Sequence, residues 1–281
     1  MNPIILYENL AESSTLTASG TASNYNVDYL KDGRTFTSWK GNNAISNSII
    51  IDLKSEKFIG AIALVGHNLY EVNARVKIYK SDNNVNWSLV GSEILVTSER
   101  VFMKMFTTSP GGGALDGLEG EALLGLDDEP LLPLESNDYS ARYWKITFTT
   151  IAAPEIAVLF MGDFIQFEYP PEAPTIPVIE KIVANSSFSN EGHLLGIDVR
   201  YHQEESQQRF TNFSRTWYKA TLKPFWKNYG RWLKEFIYAW DFENRDEDVF
   251  YCVLNDSHVL QEPLSSGPYV DEINLDIKIL A

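Results

Sequence analysis

Apolar residues fall in short runs of four to eight bounded by Asn, Gly, Ser and Pro, and inside several runs they alternate with polar ones. That pattern predicts strands rather than helices over the first part of the chain. The runs are Ser48 to Leu53, Ile59 to Gly66, Arg75 to Lys80, Trp87 to Val90, Arg142 to Thr149 and Ile156 to Phe160. In VKIYKSDNNVNWSLV, Val76 and Ile78 alternate with Lys77 and Tyr79, SDNN supplies a turn and Trp87 restarts the strand, so a hairpin is expected.

Two stretches break the pattern. From Thr107 to Ser140 there are six glycines and eight acids with no lysine or arginine, which predicts a long excursion from the sheet. It could serve as a divalent-cation loop or a docking arm. Calcium loops need oxygens at fixed spacing and a sharp-turn glycine, and DGLEGEALLGLDDE lacks that register, which favours a solvated insertion. The second break is YPPEAPTIPVIE, with Pro170, Pro171, Pro174 and Pro177, a composition that favours extended chain and marks a linker at 169–178.

Beyond the linker the pattern predicts a strand at Gly196 to His202, a helical stretch from about Arg209 to Lys234, and strands at Phe236 to Phe242, Val249 to Leu254 and Glu272 to Leu280. The last puts Ile273, Leu275, Ile277 and Ile279 on one face and Asn274, Asp276 and Lys278 on the other, so it needs a sheet to pack on. In the helical stretch Phe210, Phe213, Trp217 and Thr221 recur at spacings of three and four, and Pro224 starts a new helix or kinks the old one. Its aromatics interleave with Arg215, Lys219, Lys223, Lys227, Arg231 and Lys234, as in a stacking groove for single strands. An amphipathic helix with buried aromatics and solvated cations is the alternative, and the charge decides for it. Acids outnumber bases 38 to 23 over 281 residues, a net charge of −15, which disfavours a grip on nucleic acid or an anionic membrane.

Apolar residues at 44% and charged residues at 22% predict a folded protein with enough length for two cores. Cys252 alone offers no internal disulfide. No stretch reaches the ~20 apolar residues of a membrane span, and MNPIILYENL lacks the charge and apolar run of a signal peptide. Enzyme signatures are missing: no His-Glu-x-x-His, no Gly-x-Ser-x-Gly and no phosphate-binding glycine loop, so no catalytic residue and no cofactor is expected.

The succession NLAESSTLTASGTASNYNVDYLKDGRTFTSWKG, IIIDL, IGAIALVG, VKIYKSDNNVNWSLV, ARYWKITF and EIAVLFMGDF resembles the discoidin, or galactose-binding-like, domain, with Asp32, Gly33, Thr37 and Trp39 and then Asp52 and Leu53 at its motif positions. The resemblance implies a jelly-roll β-sandwich whose loops at one end bind a sugar or a surface. It also implies a structural calcium held by Asp32, Thr37 and Glu155, although Asp-Gly is equally what a tight turn requires. A sugar needs an aromatic face and a few fixed polar groups. Candidates on the expected loops are Asn24, Tyr25, Arg34, His67, Asn68 and Tyr70, with His67 alternatively satisfying a turn and Trp39 in the core.

The second half, with Phe236, Tyr238, Ala239, Trp240 and Asp241 in EFIYAWD, then EDVFYCVLND and a closing alternating strand, resembles distal tail, or tail-tip, proteins of long-tailed bacteriophages. That resemblance implies a tail-tube-like barrel closing a hexameric ring by head-to-tail contacts, with Ile273, Leu275, Ile277 and Ile279 near the interface or completing their own sheet. The expectation is thus a mainly β protein: a sandwich over 1–168, the linker, and an α+β barrel over 179–281. Its expected role is a virion structural protein at the tail tip, a homo-oligomer among other tail proteins that presents its first domain to host glycans. A free-standing carbohydrate-binding module is the alternative.

Overall fold

The computed structural model describes residues 2–43, 45–106, 139–173, 176–242, 245, 248–255 and 269–280, and nearly all of the acidic excursion lies outside them. The protein is mainly β. It divides into two compact units, Ile4–Glu168 and Tyr169–Ala281 with Met1–Pro3.

The strands of the first unit are β1 (Ile4–Leu6), β2 (Thr15–Ala18), β3 (Trp39–Lys40), β4 (Ser46–Phe58), β5 (Ala61–His67), β6 (Arg75–Ser81), β7 (Ser88–Leu95), β8 (Val101–Met105), β9 (Ser140–Thr149), β10 (Glu155–Gly162) and β11 (Phe164–Gln166). They form a five-stranded sheet in the order β2-β4-β9-β6-β7 and a four-stranded sheet in the order β3-β10-β5-β8, while β1 pairs with β11. The strand pairings among the described residues of this unit are antiparallel. Period-two alternation turns Ile49 and Ile51 of β4, Val76 and Ile78 of β6, and Trp144, Ile146 and Phe148 of β9 into one core with Ile62, Leu64, Ile156, Leu159 and Met161 of the other sheet. Each such side chain contributes about 1.5–3 kcal/mol on burial. Strands β5 and β10 read as unbroken apolar runs because both of their faces are buried.

The edge of β10 is closed by a side chain. Asn9 donates to the Leu159 carbonyl at 3.1 Å and accepts from Met161 N–H at 3.2 Å, filling ladder positions that would otherwise lie bare. A Cβ on Gly162 would stand 2.1 Å from the Glu8 carbonyl oxygen, so only glycine lets this segment pass. The two ends of the sandwich differ. Phe106 N–H donates to the Gly60 carbonyl and Ile59 N–H to that of Tyr139, so the chain leaves and re-enters beside the β4–β5 turn. The loops that follow His67 lie at the other end of β5 from Phe106 and Tyr139.

The second unit contains β12 (Ile176–Phe188), β13 (Leu194–Ser214), β14 (Phe236–Ala239), β15 (Val249–Leu254) and β16 (Tyr269–Ile279), ordered β14-β15-β16-β13-β12. Strand β12 begins within the proline-rich stretch, where the sequence predicted only linker, and residues 174–175 are outside the described set. The expected helix from Arg209 is corrected: residues up to Ser214 continue β13. Phe210 and Phe213 are both buried, a spacing of three that imitates a helix. The imitation arises because Asn212 takes a left-handed φ of 63° inside the strand and shifts the alternation. Helix starts where Ser214 caps it, its Oγ accepting from Trp217 N–H at 3.1 Å. A wide π turn over Tyr218–Leu222 leads to a second helical piece, Lys223–Asn228, with Pro224 in its first turn, where a missing N–H is tolerated. Trp217, Tyr218 and Phe225 are buried while Arg215, Lys219, Lys223, Lys227 and Arg231 are exposed, the amphipathic arrangement. Cys252 is buried, and burial pushes its thiol well up, leaving it unreactive.

Strand β16 pairs with β13 on one side and β15 on the other. Ile273, Leu275, Ile277 and Ile279 are 0–8% exposed, buried on the core-facing side of their own sheet. The apolar surface that is open lies elsewhere. Between β12 and β13 the register shifts at Val183/Ala184 and Ser187/Phe188, each time with one extra residue on β13. Because directly opposed residues share a face, these bulges keep Val199, Ile197 and Leu194 on the face that carries Ser206, Gln208 and Phe210 nearer the core. With Ile182 and Phe188 from β12 they form an apolar strip whose five members are 50–60% exposed.

Candidate functional site

The loop end of the sandwich gathers residues from four separate connections. The loop at 32–38 folds because Asp32 accepts from Arg34 N–H at 2.9 Å and from Thr37 Oγ at 2.8 Å, with Gly33 supplying a φ of 74°. The resulting turn leaves Phe36 82% exposed, with the Arg34 guanidinium 5.8 Å from its ring centroid. Gly66, at φ 60°, permits close approach at the end of β5: a Cβ there would stand 3.0 Å from that of Ala157 and 4.0 Å from the Thr35 carbonyl. This puts the 32–38 loop beside His67.

Glu155, the first residue of β10, links the loops. It accepts from Ser38 Oγ at 2.7 Å and from Lys40 Nζ at 3.0 Å, and Lys40 in turn lies 5.4 Å from the Tyr25 ring centroid. Burial pushes Glu155 up, but the bonds from Ser38 and Lys40 outweigh it and hold the carboxyl below its ordinary value. The bond to Glu155, reinforced by its charge, holds Lys40 above its own.

Asn68 is a clamp. Its Oδ1 accepts from Glu155 N–H at 2.8 Å, its Nδ2 donates to the Ala153 carbonyl at 3.2 Å, and its own N–H donates to the Glu155 carbonyl. Next to it, His67 Nδ1 accepts from Leu69 N–H at 3.3 Å, which assigns the ring proton to Nε2. That Nε2 is buried without a partner among the described residues. Burial lowers His67 to about 4, so the ring is neutral at pH 7.

The structure thus brings Tyr25, Asn68 and Glu155 together around Lys40, with His67 alongside. Asn24, at φ 71°, and Arg34 are exposed on neighbouring loops, and Tyr70 is half-exposed in the turn after Asn68. Asp32 and Thr37 bond each other, whereas Glu155 bonds Ser38 and Lys40, so a cation shared by all three would have to displace Lys40. Among the described residues no group of three or more His, Cys, Asp or Glu side chains is placed to hold a metal ion. Sequence reasoning missed Phe36, Ser38 and Lys40. The usable signal was an aromatic in the otherwise polar DGRTFTS.

The chain matches no protein-family model and no curated protein. Among solved structures it is similar to a Clostridium perfringens module, CpGH89CBM32-5, in complex with GalNAc-β-1,3-galactose, at 13% identity over 55% of this chain and 99% of that one, with a TM-score of 0.40. It is also similar to a chitosan-binding module from Paenibacillus sp. IK-5 (17% identity, 55% and 98% covered, TM-score 0.39) and a Streptococcus pneumoniae fucose binding module (16%, 56% and 96%, 0.39). At such values the likeness settles neither ligand nor residues, and the sandwich is read from the strand pairing above.

Proposed function

We propose that the protein is a non-enzymatic binding protein whose first unit takes a saccharide at its loop end. The observation that carries this reading is the exposed Phe36 beside Arg34, on a rigid turn next to the ordered Tyr25–Lys40–Glu155 cluster. An aromatic ring supplies the platform for the C–H face of a sugar, and Arg34, Asn24 and Lys40 supply directional donors around it. The test is glycan binding by the full chain, with immobilised GalNAc-β-1,3-galactose, fucose and chitosan as probes. Phe36→Ala should weaken binding about tenfold or more, the loss of one stacking contact and its buried area. Absence of binding to every probe, or binding indifferent to Phe36→Ala and Tyr25→Ala together, overturns it.

A second reading, assembly, is favoured by the strip on the β12–β13 hairpin. Ile182, Phe188, Leu194, Ile197 and Val199 extend the core-facing side of a sheet into solvent, where nothing among the described residues of their unit buries them. A head-to-tail contact between copies would cover such a surface and, where the rotation closes, build a ring. Such a ring would suit the structural subunit of a bacteriophage tail tip that the sequence of the second half resembles. The mass of the protein in solution tests it: a strict monomer at ~100 μM, far above the Kd of a stable assembly, counts against it.

A further inference from the structure

The second unit has a cleft of about 480 Å³ lined by Tyr169, Pro170, Thr211, Asn212 and Tyr269, within the usual range for small-ligand sites. Its aromatic walls, Tyr169 and Tyr269, are each about half exposed. Tyr169 is also braced from behind. Its ring lies 6.2 Å from that of Phe213, which stacks on Trp217 at 4.8 Å and contacts Phe210 at 5.7 Å, three buried aromatics that fix the platform.

The polar wall is made by the kink in β13. Asn212 holds a left-handed φ of 63° in mid-strand, a conformation uncommon outside glycine and enriched in Asn. Its Nδ2 donates to Thr211 Oγ at 3.2 Å, and Thr211 Oγ donates to Glu172 at 2.7 Å, so the side chains are held in one chain of bonds. The Asn212 amide oxygen has no partner among the described residues. The nearby cation is committed: Arg209 pairs with Glu172 at 3.3 Å and with Glu272 at 3.0 Å. What remains is two aromatic faces and neutral hydrogen-bonding groups, with no free charge among the residues named.

We propose that this cleft is a second ligand site, separate from the loop end of the first unit, and that it takes a neutral saccharide ring. The apolar face of a pyranose would lie on Tyr169 or Tyr269, and a ring hydroxyl would donate to the Asn212 amide oxygen. A charged ligand would meet no uncommitted opposite charge among the described residues, and a wholly apolar one would leave the amide unsatisfied.

Saturation-transfer NMR on the full chain, with methyl β-galactoside, fucose and N-acetylglucosamine as probes, tests this in a Tyr25→Ala/Phe36→Ala background that removes the first unit's platform. At least one probe should still receive saturation. Adding Tyr269→Ala should raise its Kd about tenfold, and adding Asn212→Gly several-fold, the worth of one stacking contact and one hydrogen bond. Glycine keeps the left-handed backbone, so Asn212→Gly reads out the amide even where the tyrosine change disturbs folding, and circular dichroism checks that it does. Loss of all transfer in the background variant, or transfer unchanged by both additions, overturns the proposal. Transfer that falls on Phe36→Ala but persists in the background variant reports both sites, whereas transfer that Phe36→Ala leaves unchanged while Tyr269→Ala lowers it overturns the first unit's site and keeps this cleft.

Discussion

Strand β16 and the outer half of the β12–β13 hairpin carry apolar side chains on the same face of one sheet, and they meet opposite fates. Ile273, Leu275, Ile277 and Ile279 sit opposite Phe210, Gln208, Ser206 and Glu204 of β13 and are buried. Val199, Ile197 and Leu194, further out on the same face of β13, are half in water. Alternation states which side of a strand is apolar. It does not state what covers that side. Burying a side chain of this kind contributes about 1.5–3 kcal/mol, so five left open are a reserve that folding of the unit does not use and that association could.

The largest expected effect breaks the symmetry of the pair. Ile277→Ala should cost about 4 kcal/mol in urea unfolding, because a fully buried β-branched side chain leaves a cavity that a strand paired on both edges cannot collapse to fill. Ile197→Ala, in the same sheet and on the same face, should change the unfolding of the unassembled chain by less than about 0.5 kcal/mol. Equal costs at the two positions would mean that the strip is covered within its own unit.

The first unit sharpens the contrast, since there the anomaly is a polar group kept dry. His67 stays neutral in the folded state down to about pH 4, whereas in the unfolded chain it protonates near 6.5. Between these values the unfolded state binds the extra proton, so stability falls as pH drops from about 6.5 to 4, by about 3 kcal/mol in total. Unfolding midpoints across that window check it, and His67→Phe should remove most of this component. A flat profile in the parent protein would show that the ring finds a partner.

On the outer face of the five-stranded sheet, exposed positions are managed with charge. Arg142 holds Asp52 through two bonds of 2.9 and 3.0 Å, and this hydrogen bonding holds the carboxyl down to about 2 despite some desolvation. The folded value lies below the unfolded one, so the stabilisation is complete above about pH 4 and fades as pH falls through about 2. With the guanidinium 42% exposed, solvent screening limits it, and Arg142→Ala should lower the unfolding midpoint slightly at pH 7 and leave it unchanged at pH 2.

These cases show how far the sequence could be read. The strands of the sandwich were legible because their runs end at turn residues, and β5 and β10 because nothing but apolar residues fills them. The loop end was legible as a place, through Asp32-Gly33 and His67-Asn68, but the chemistry was not: Asn68 holds the backbone of Glu155, a partner 87 residues away, and no local pattern announces that bond. The start of β12 was hidden by prolines, and the β13 continuation by Asn212, whose positive φ made two strand phenylalanines mimic helical spacing. The strip on the hairpin was hidden by its bulges, since period-two reading assigns Leu194 and Val199 to opposite faces of a regular strand while the register returns both to one.

The smallest expected change in stability is also the most decisive for assembly. Replacing Phe188, Ile197 and Val199 by serine together removes three of the five open apolar side chains from the strip. If the strip serves only its own unit, the triple variant should lose stability as Ile277→Ala does. If it is an intermolecular surface, the unassembled chain should unfold within about 0.5 kcal/mol of the parent, because exposed residues remain exposed in both states. Mass photometry and light scattering should meanwhile show the parent's larger species giving way to single chains. Serine keeps the backbone extended and the antiparallel ladder of β12 and β13 intact, so a shift in mass would report the lost apolar contact and not a lost hairpin. A parent protein that is already a single chain at every concentration, or a triple variant that assembles unchanged, would place the partner of this face elsewhere and remove the assembly reading with it.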